Sequence, residues 1–318
     1  MTGPHGRWLP TAGSWPYHAG MEFTLAHGTA NDFVLLADLH DRLELPAALV
    51  RALADRRSGL GADGVIRIGD GGMAADVFMD YRNADGSVVE MCGNGVRVVA
   101  KYVVDHGHVT PDPDGIVRIG TRAGVKPVRI VQRHADGRVA SVAVDMGVPT
   151  TAADQVPFTA PDATGPIHEL EVDGTQVRLS AVSMGNPHAV LQVDAVAEAP
   201  VTTLGPRLEH DPRFPAGVNV GFAEVVGPGD LRLRVWERGV GETAACGTGA
   251  CAAVVALQEL GQLATEVAVH LPGGTLAVAH ERGGHVTMTG PAVEVAHGRL
   301  DDAWLRDVTT SHRPKARC

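Results

Sequence analysis

Apolar residues along this chain recur mainly at every second position, in short runs broken by Gly, Pro, Asn and Asp. From Met21, MEFTLAHGTANDFVLL reads as two strands interrupted by a Gly-Thr-Ala-Asn turn. VIRI at 65–68, VFMDY at 77–81, PVRIV at 127–131 and RVASVAVDMG at 138–147 read as further strands. HELEV and TQVRLSAV flank Asp173-Gly174, a dipeptide that favours a two-residue hairpin loop. Residues 231–235 alternate Leu, Arg, Leu, Arg, Val as a half-buried strand does, and EVAVHLPGGTLAVAH predicts a second hairpin about Gly273-Gly274. Helical spacing appears in three places. One is 46–58, with Pro46 in its first turn, Leu49, Val50, Leu53 and Ala54 as a stripe, and Gly59 as stop. The second is 93–106, with Val96, Val99, Ala100 and Val103 on one face, and the third is 247–260, ended by Gly261. Strands outnumber helices and do not alternate with them as βαβ units would, so the pattern predicts an α+β fold. One echo divides the chain: CGNG at 92–95 and CGTG at 246–249 each precede an apolar helix. Two similar domains facing each other across a cleft explain it.

The length, 318 residues, fits two domains. Residues 1–20 lack core periodicity and read as a flexible extension, and the basic segment 307–318 reads as a flexible tail. A formal charge of −10 disfavours nucleic acid and anionic membranes as partners, and no run is long enough to span a bilayer. Four cysteines without a leader-like start point to a reducing, cytoplasmic setting. Lysine occurs only at 101, 126 and 315, which leaves little for Schiff-base chemistry, and the fifteen histidines show no metal-ligand spacing. The expectation is an enzyme with no cofactor and no metal.

The chemistry lies in the repeated motif. A helix start leaves backbone N–H groups without intrahelical acceptors and carries partial positive charge. Glycines let a ligand approach that backbone, so a carboxylate can bind there. The same field lowers the pKa of an adjacent cysteine. Two such ends meeting on one carboxylate suit removal of an α-proton, whose transition state puts negative charge on that group. Cys92 and Cys246 then serve as base and acid on opposite faces of one carbon. Cys251, inside a helix, and Cys318, at the end of the chain, read as bystanders.

The fuller strings NADGSVVEMCGNGVRVVAKY (83–102) and ERGVGETAACGTGACAA (237–253), with GTANDF (28–33), SMGNPHAV (183–190) and GVNVGF (217–222), closely resemble diaminopimelate epimerases. The similarity runs from about Met21 to about Leu305 with the motifs in family order. It implies two pseudo-symmetric domains, each wrapping strands around a central helix, with the active site between them: 21–146 with 291–306 returning to it, and 147–290. It implies interconversion of LL- and meso-2,6-diaminopimelate, with a small molecule as the partner and a homodimer left open. Cys92 matches the proton donor and Cys246 the acceptor for the LL-to-meso direction, the roles swapping in reverse, with His188 expected near Cys92 and Glu237 near Cys246. Gly93, Asn94, Gly247 and Thr248 match the carboxylate-binding amides. Asn31, Asn83, Asn186, Asn219, Glu237 and Arg238 match substrate contacts, Arg238 on the distal carboxylate. Gly64 aligns with a substrate-contact position that is Gln in some members, and Ala30 with a common Gly.

Other readings fare worse. Gly247-Thr-Gly-Ala-Cys-Ala fits a dinucleotide fingerprint, but ERGVGETAAC ahead of it is no buried strand. A Cys-His hydrolase or a thiol-binding protein leaves one cysteine motif unexplained. The nearest alternative is a cofactor-independent racemase or epimerase of another amino acid, such as hydroxyproline or a basic one.

Overall fold

The computed structural model describes residues 20–152, 155–159 and 165–310. Apart from Gly20, the expected extension lies outside the described residues, as does 311–318 of the expected tail.

β1 (Glu22–Gly28) and β2 (Asn31–Ala37) form an antiparallel hairpin in which Gly28 faces Asn31. Its two loop residues, Thr29 and Ala30, are both left-handed, with φ of 53° and 61°. That is the geometry of a tight hairpin turn, normally given to Asn-Gly. A β-branched residue there is strained, and Thr29 is held by burial and by a hydrogen bond to its hydroxyl from Arg97 Nη2 at 3.2 Å.

The first half continues through α1 (Ala47–Ala54), β3 (Gly64–Asp70), β4 (Val77–Asn83), α2 (Gly93–Asp105), β5 (Ile116–Thr121), β6 (Gly124–Arg133) and β7 (Val139–Asp145). The second holds β8 (His168–Val172), β9 (Thr175–Ser183), β10 (Pro187–Gln192), α3 (Val201–Glu209), β11 (Asn219–Gly227), β12 (Asp230–Glu237), the short β13 (Gly241–Thr243), α4 (Gly247–Glu259), β14 (Glu266–Leu271), β15 (Gly274–His280) and β16 (Val286–Pro291). β17 (Val293–Arg299) and α5 (Asp302–Thr310) end it.

Strand pairing reveals a repeat much longer than the cysteine motif. Moving outward from β7, the order β6, β5, β4, β3, β2, β1 is joined by antiparallel, antiparallel, parallel, antiparallel, parallel and antiparallel contacts. Moving outward from β16, the order β15, β14, β12, β11, β10, β9 gives the same series. β7 and β16 pair antiparallel at the seam. β17 pairs with β1, so the chain's last strand returns to its first, and β8 covers β9 in the matching place. Strands and helices do not alternate strictly, yet each parallel neighbour pair is joined through a helix, because parallel strands need a crossover.

The two central helices have different reasons to be enclosed. α4, GTGACAAVVALQE, presents no charged residue before its last position, so strands must surround it. α2 is equally buried but carries Arg97 and Lys101. Lys101 Nζ is satisfied by Asp105 Oδ2 and Val139 O, both at 2.7 Å. Both helices share one core, with smaller clusters under α1 and α5 and under α3.

Three local readings change. The helix expected over 46–58 stops at Ala54, because the Asp55 carboxylate accepts the Arg57 and Ser58 N–H groups and folds the chain into a turn. Residues 307–310, expected in the tail, continue α5, whose Trp304, Leu305 and Val308 pack beside α1. α3 was not foreseen; its Gly205 lies against the Trp236 ring, where an added Cβ would come within 2.7 Å. Among the described residues, no helix is long and apolar enough to cross a membrane.

Candidate active site

Cys92 and Cys246 occupy the position just before α2 and α4, each with extended backbone dihedrals. Their carbonyls accept the first helical hydrogen bonds, from Val96 at 2.9 Å and Ala250 at 3.0 Å. The two helix starts converge on Met288 of β16. A Cβ on Gly93 would meet its methyl at 2.9 Å, and one on Gly247 its sulfur at 3.0 Å. The Asn94 side chain crosses between the halves, its Nδ2 donating to Ala245 O and to Asn31 Oδ1, both at 3.2 Å. Asn31 also receives the Cys92 thiol at 3.8 Å and donates to Asp63 Oδ2 at 2.8 Å.

The two thiols meet different electrostatics. Burial pushes Cys246 well up, and the Glu237 carboxylate adds to this. The Thr248 hydroxyl and the Gly249 N–H oppose it, the latter donating to Sγ at 3.3 Å. Burial also pushes Cys92 up, with the Glu237 charge adding to it, opposed by the Gly95 and Asn94 amides and by the Arg97 charge. Glu237 is itself raised by burial, with the Thr243 hydroxyl and the Cys246 thiol bonded to it as counterweights.

His188 is neutral at physiological pH: burial first, then the Arg238 charge, pushes it down to about 3. Its Nε2–H donates to Asn186 Oδ1 at 3.1 Å, and Asn186 Nδ2 reaches Thr248 Oγ1 at 3.5 Å, next to Cys246. His188 pairs in register with Asn219, on β10 and β11 of the second half.

Arg238 is exposed, with Nη1 donating to Ala216 O at 2.7 Å and no carboxylate partner among the described residues. Asn219 is buried, accepting from the Arg238 N–H at 3.0 Å and donating to Pro187 O at 3.0 Å, so it fixes the base of that arginine. Asn83 Oδ1 accepts from the Tyr81 hydroxyl at 3.0 Å, and its Nδ2 donates to Ser87 Oγ at 3.1 Å.

Residues 23–152 and 180–295 match the family model described as diaminopimelate epimerase. A diaminopimelate epimerase of Thioalkalivibrio sulfidiphilus is 47% identical over 285 residues, covering 88% of this chain and 99% of that protein. One of Geobacillus kaustophilus is 46% identical, covering 87% and 95%. The chain belongs to the diaminopimelate epimerase family. Its fold extends further: a hydroxyproline epimerase from Agrobacterium vitis superposes with a TM-score of 0.64 at 17% identity, covering 89% of this chain and 93% of that one. A PhzF-family phenazine biosynthesis protein from Bacillus anthracis does so with 0.64 at 14%, covering 89% and 100%.

At Gly64 the structure leaves no room for a side chain. A Cβ there would lie 2.5 Å from both the Tyr81 ring and Arg82 O. The space belongs to Tyr81, which packs over the glycine and orients Asn83. Gly64→Ala is therefore expected to lower stability by about 1–3 kcal/mol through overpacking against backbone, read from urea unfolding; unchanged stability would refute this packing. Sequence reasoning missed Tyr81, Thr243, Asp63 and Arg97. Arg97 lies about 100° round the helix from Val96, off the predicted apolar face, so its spacing did not mark it for burial. The others depend on strand pairing that no local spacing reveals.

Proposed function

We propose that the chain interconverts LL- and meso-2,6-diaminopimelate by a two-base proton transfer between Cys92 and Cys246, in lysine and peptidoglycan precursor synthesis. The observation that carries this reading is the convergence of the two cysteine-capped helix starts on Met288, with Asn94 bridging them. The first-turn amides of Gly93, Asn94, Gly247 and Thr248 hold the reacting carboxylate, and the helix fields stabilise the charge it gains. One cysteine removes the α-proton as thiolate and the other, as thiol, returns a proton to the opposite face. Glu237 holds the Cys246 thiol by hydrogen bond. His188, neutral and held by Asn186 Oδ1, tunes the Cys92 thiol. Arg238, based on Asn219, takes the distal carboxylate, and Asn31, Asn83 and Asn186 complete the polar lining. Both thiols must stay reduced, which a cytoplasmic location provides.

The test is α-proton exchange in D2O over a panel of diaminopimelate, hydroxyproline, lysine and arginine. Exchange into diaminopimelate with interconversion of its isomers is expected. Preference for another amino acid would overturn the substrate assignment and leave the two-thiol chemistry standing.

A further inference from the structure

Arg97 is wholly buried, and among the described residues its four hydrogen bonds all go to uncharged atoms. Nη2 donates to Asn94 Oδ1 at 2.9 Å and Thr29 Oγ1 at 3.2 Å, Nε to Pro291 O at 3.3 Å, and Nη1 to Met288 Sδ at 3.7 Å. Two glycines make room for it: a Cβ on Gly28 would lie 3.0 Å from Nη2, and one on Gly290 3.1 Å from Nε. A cation buried without an anion is costly, and burial drives this guanidinium down to about 10, with Cys92 and Cys251 as the acids that support its charge.

The internal repeat shows what is unusual about it. Five residues after Cys92 stands Arg97, whereas five after Cys246 stands Cys251. Nine residues before Cys92 stands Asn83, whereas nine before Cys246 stands Glu237, each the last residue of its strand. The Cys92 side thus has a cation and a neutral amide where the Cys246 side has a neutral thiol and a carboxylate. Both differences act in one direction. The groups facing Cys92 are Arg97 from α2, Glu237 from β12 and Tyr81 from β4, and Cys251 of α4 faces Arg97.

We propose that Arg97 is a positioning residue of this site: its guanidinium locks the Asn94 amide that spans both cysteine loops, and it makes Cys92 the more acidic of the two thiols. The Arg97 Nη2 bond to Asn94 Oδ1 leaves Nδ2 to reach Ala245 O and Asn31, which sets the spacing of the two thiols. The inference rests on the two-thiol reading above.

The test alkylates the substrate-free protein with iodoacetamide as a function of pH and quantifies each cysteine by peptide mass spectrometry. In the wild type, Cys92 is expected to react at least about tenfold faster than Cys246, as the more acidic of two thiols should. Arg97→Met is expected to raise the pH midpoint of Cys92 by more than about one unit and bring the two rates within about threefold. Arg97→Lys keeps a charge but not the fork, so the alkylation order should persist while kcat falls roughly tenfold at similar KM. A folded Arg97→Met protein with an unmoved Cys92 midpoint overturns the proposal. If that variant does not fold, Cys246 reacting as fast as Cys92 in the wild type or in Arg97→Lys overturns it equally. Wild-type protein that exchanges no diaminopimelate proton would sink the functional reading instead, and the alkylation order would still decide the role of Arg97.

Discussion

Replacing either Cys92 or Cys246 by alanine is expected to abolish net interconversion of the isomers, by at least about 10³-fold, since a positioned acid or base contributes on the order of 10²–10⁴ and inversion needs both. The two losses should differ in kind. Each variant retains one cysteine that can remove and return a proton on its own face, so deuterium from D2O enters a single isomer, with opposite preference in the two proteins. Serine at either position should be nearly as poor, because a hydroxyl is a far weaker acid than a thiol at neutral pH. Alanine at Cys251, buried in α4 five residues from Cys246, is a useful contrast, since that thiol faces Arg97 and not the bridge at Asn94. NMR of the exchanged products reads all of this. Interconversion at the wild-type rate in either alanine variant would refute the two-base reading.

Arg238→Ala is expected to cost about 2–4 kcal/mol in kcat/KM, roughly 30- to 1000-fold, when a bound carboxylate seals the guanidinium from water. Without ligand the side chain spends one donor on Ala216 O and leaves the rest of its fork to solvent. The penalty should therefore appear with diaminopimelate and not with an amino acid lacking a distal carboxylate. Thermal unfolding should barely change, because the group is exposed and Asn219 bonds the backbone of Arg238, not its side chain. Unchanged diaminopimelate kinetics would move the distal contact elsewhere.

The sequence showed the chemistry more clearly than the architecture. Cys92 and Cys246 were legible because a glycine-flanked cysteine at the head of an apolar helix is a local pattern, and it occurs twice. The hairpin at Asp173-Gly174 was legible for the same reason, with both residues left-handed as its turn requires. The longer repeat was not. Only β1 to β7 against β9 to β16 displays it, and strand order depends on pairings between residues far apart in the chain. At Gly64 the sequence showed a missing side chain and could not show that Tyr81 fills the space.

The pairing of β1 with β17 has a consequence for how the molecule is made. These strands lie at opposite ends of the described chain, with Glu22 against Arg299 and His27 against Val293. During synthesis β1 and β2 emerge early, yet the outer edge of β1 keeps its backbone donors and acceptors open until nearly the whole chain has left the ribosome. Loop closure over that separation is slow compared with local hairpin formation. The first half is thus completed last, and the nascent chain carries an unpaired edge for most of its translation.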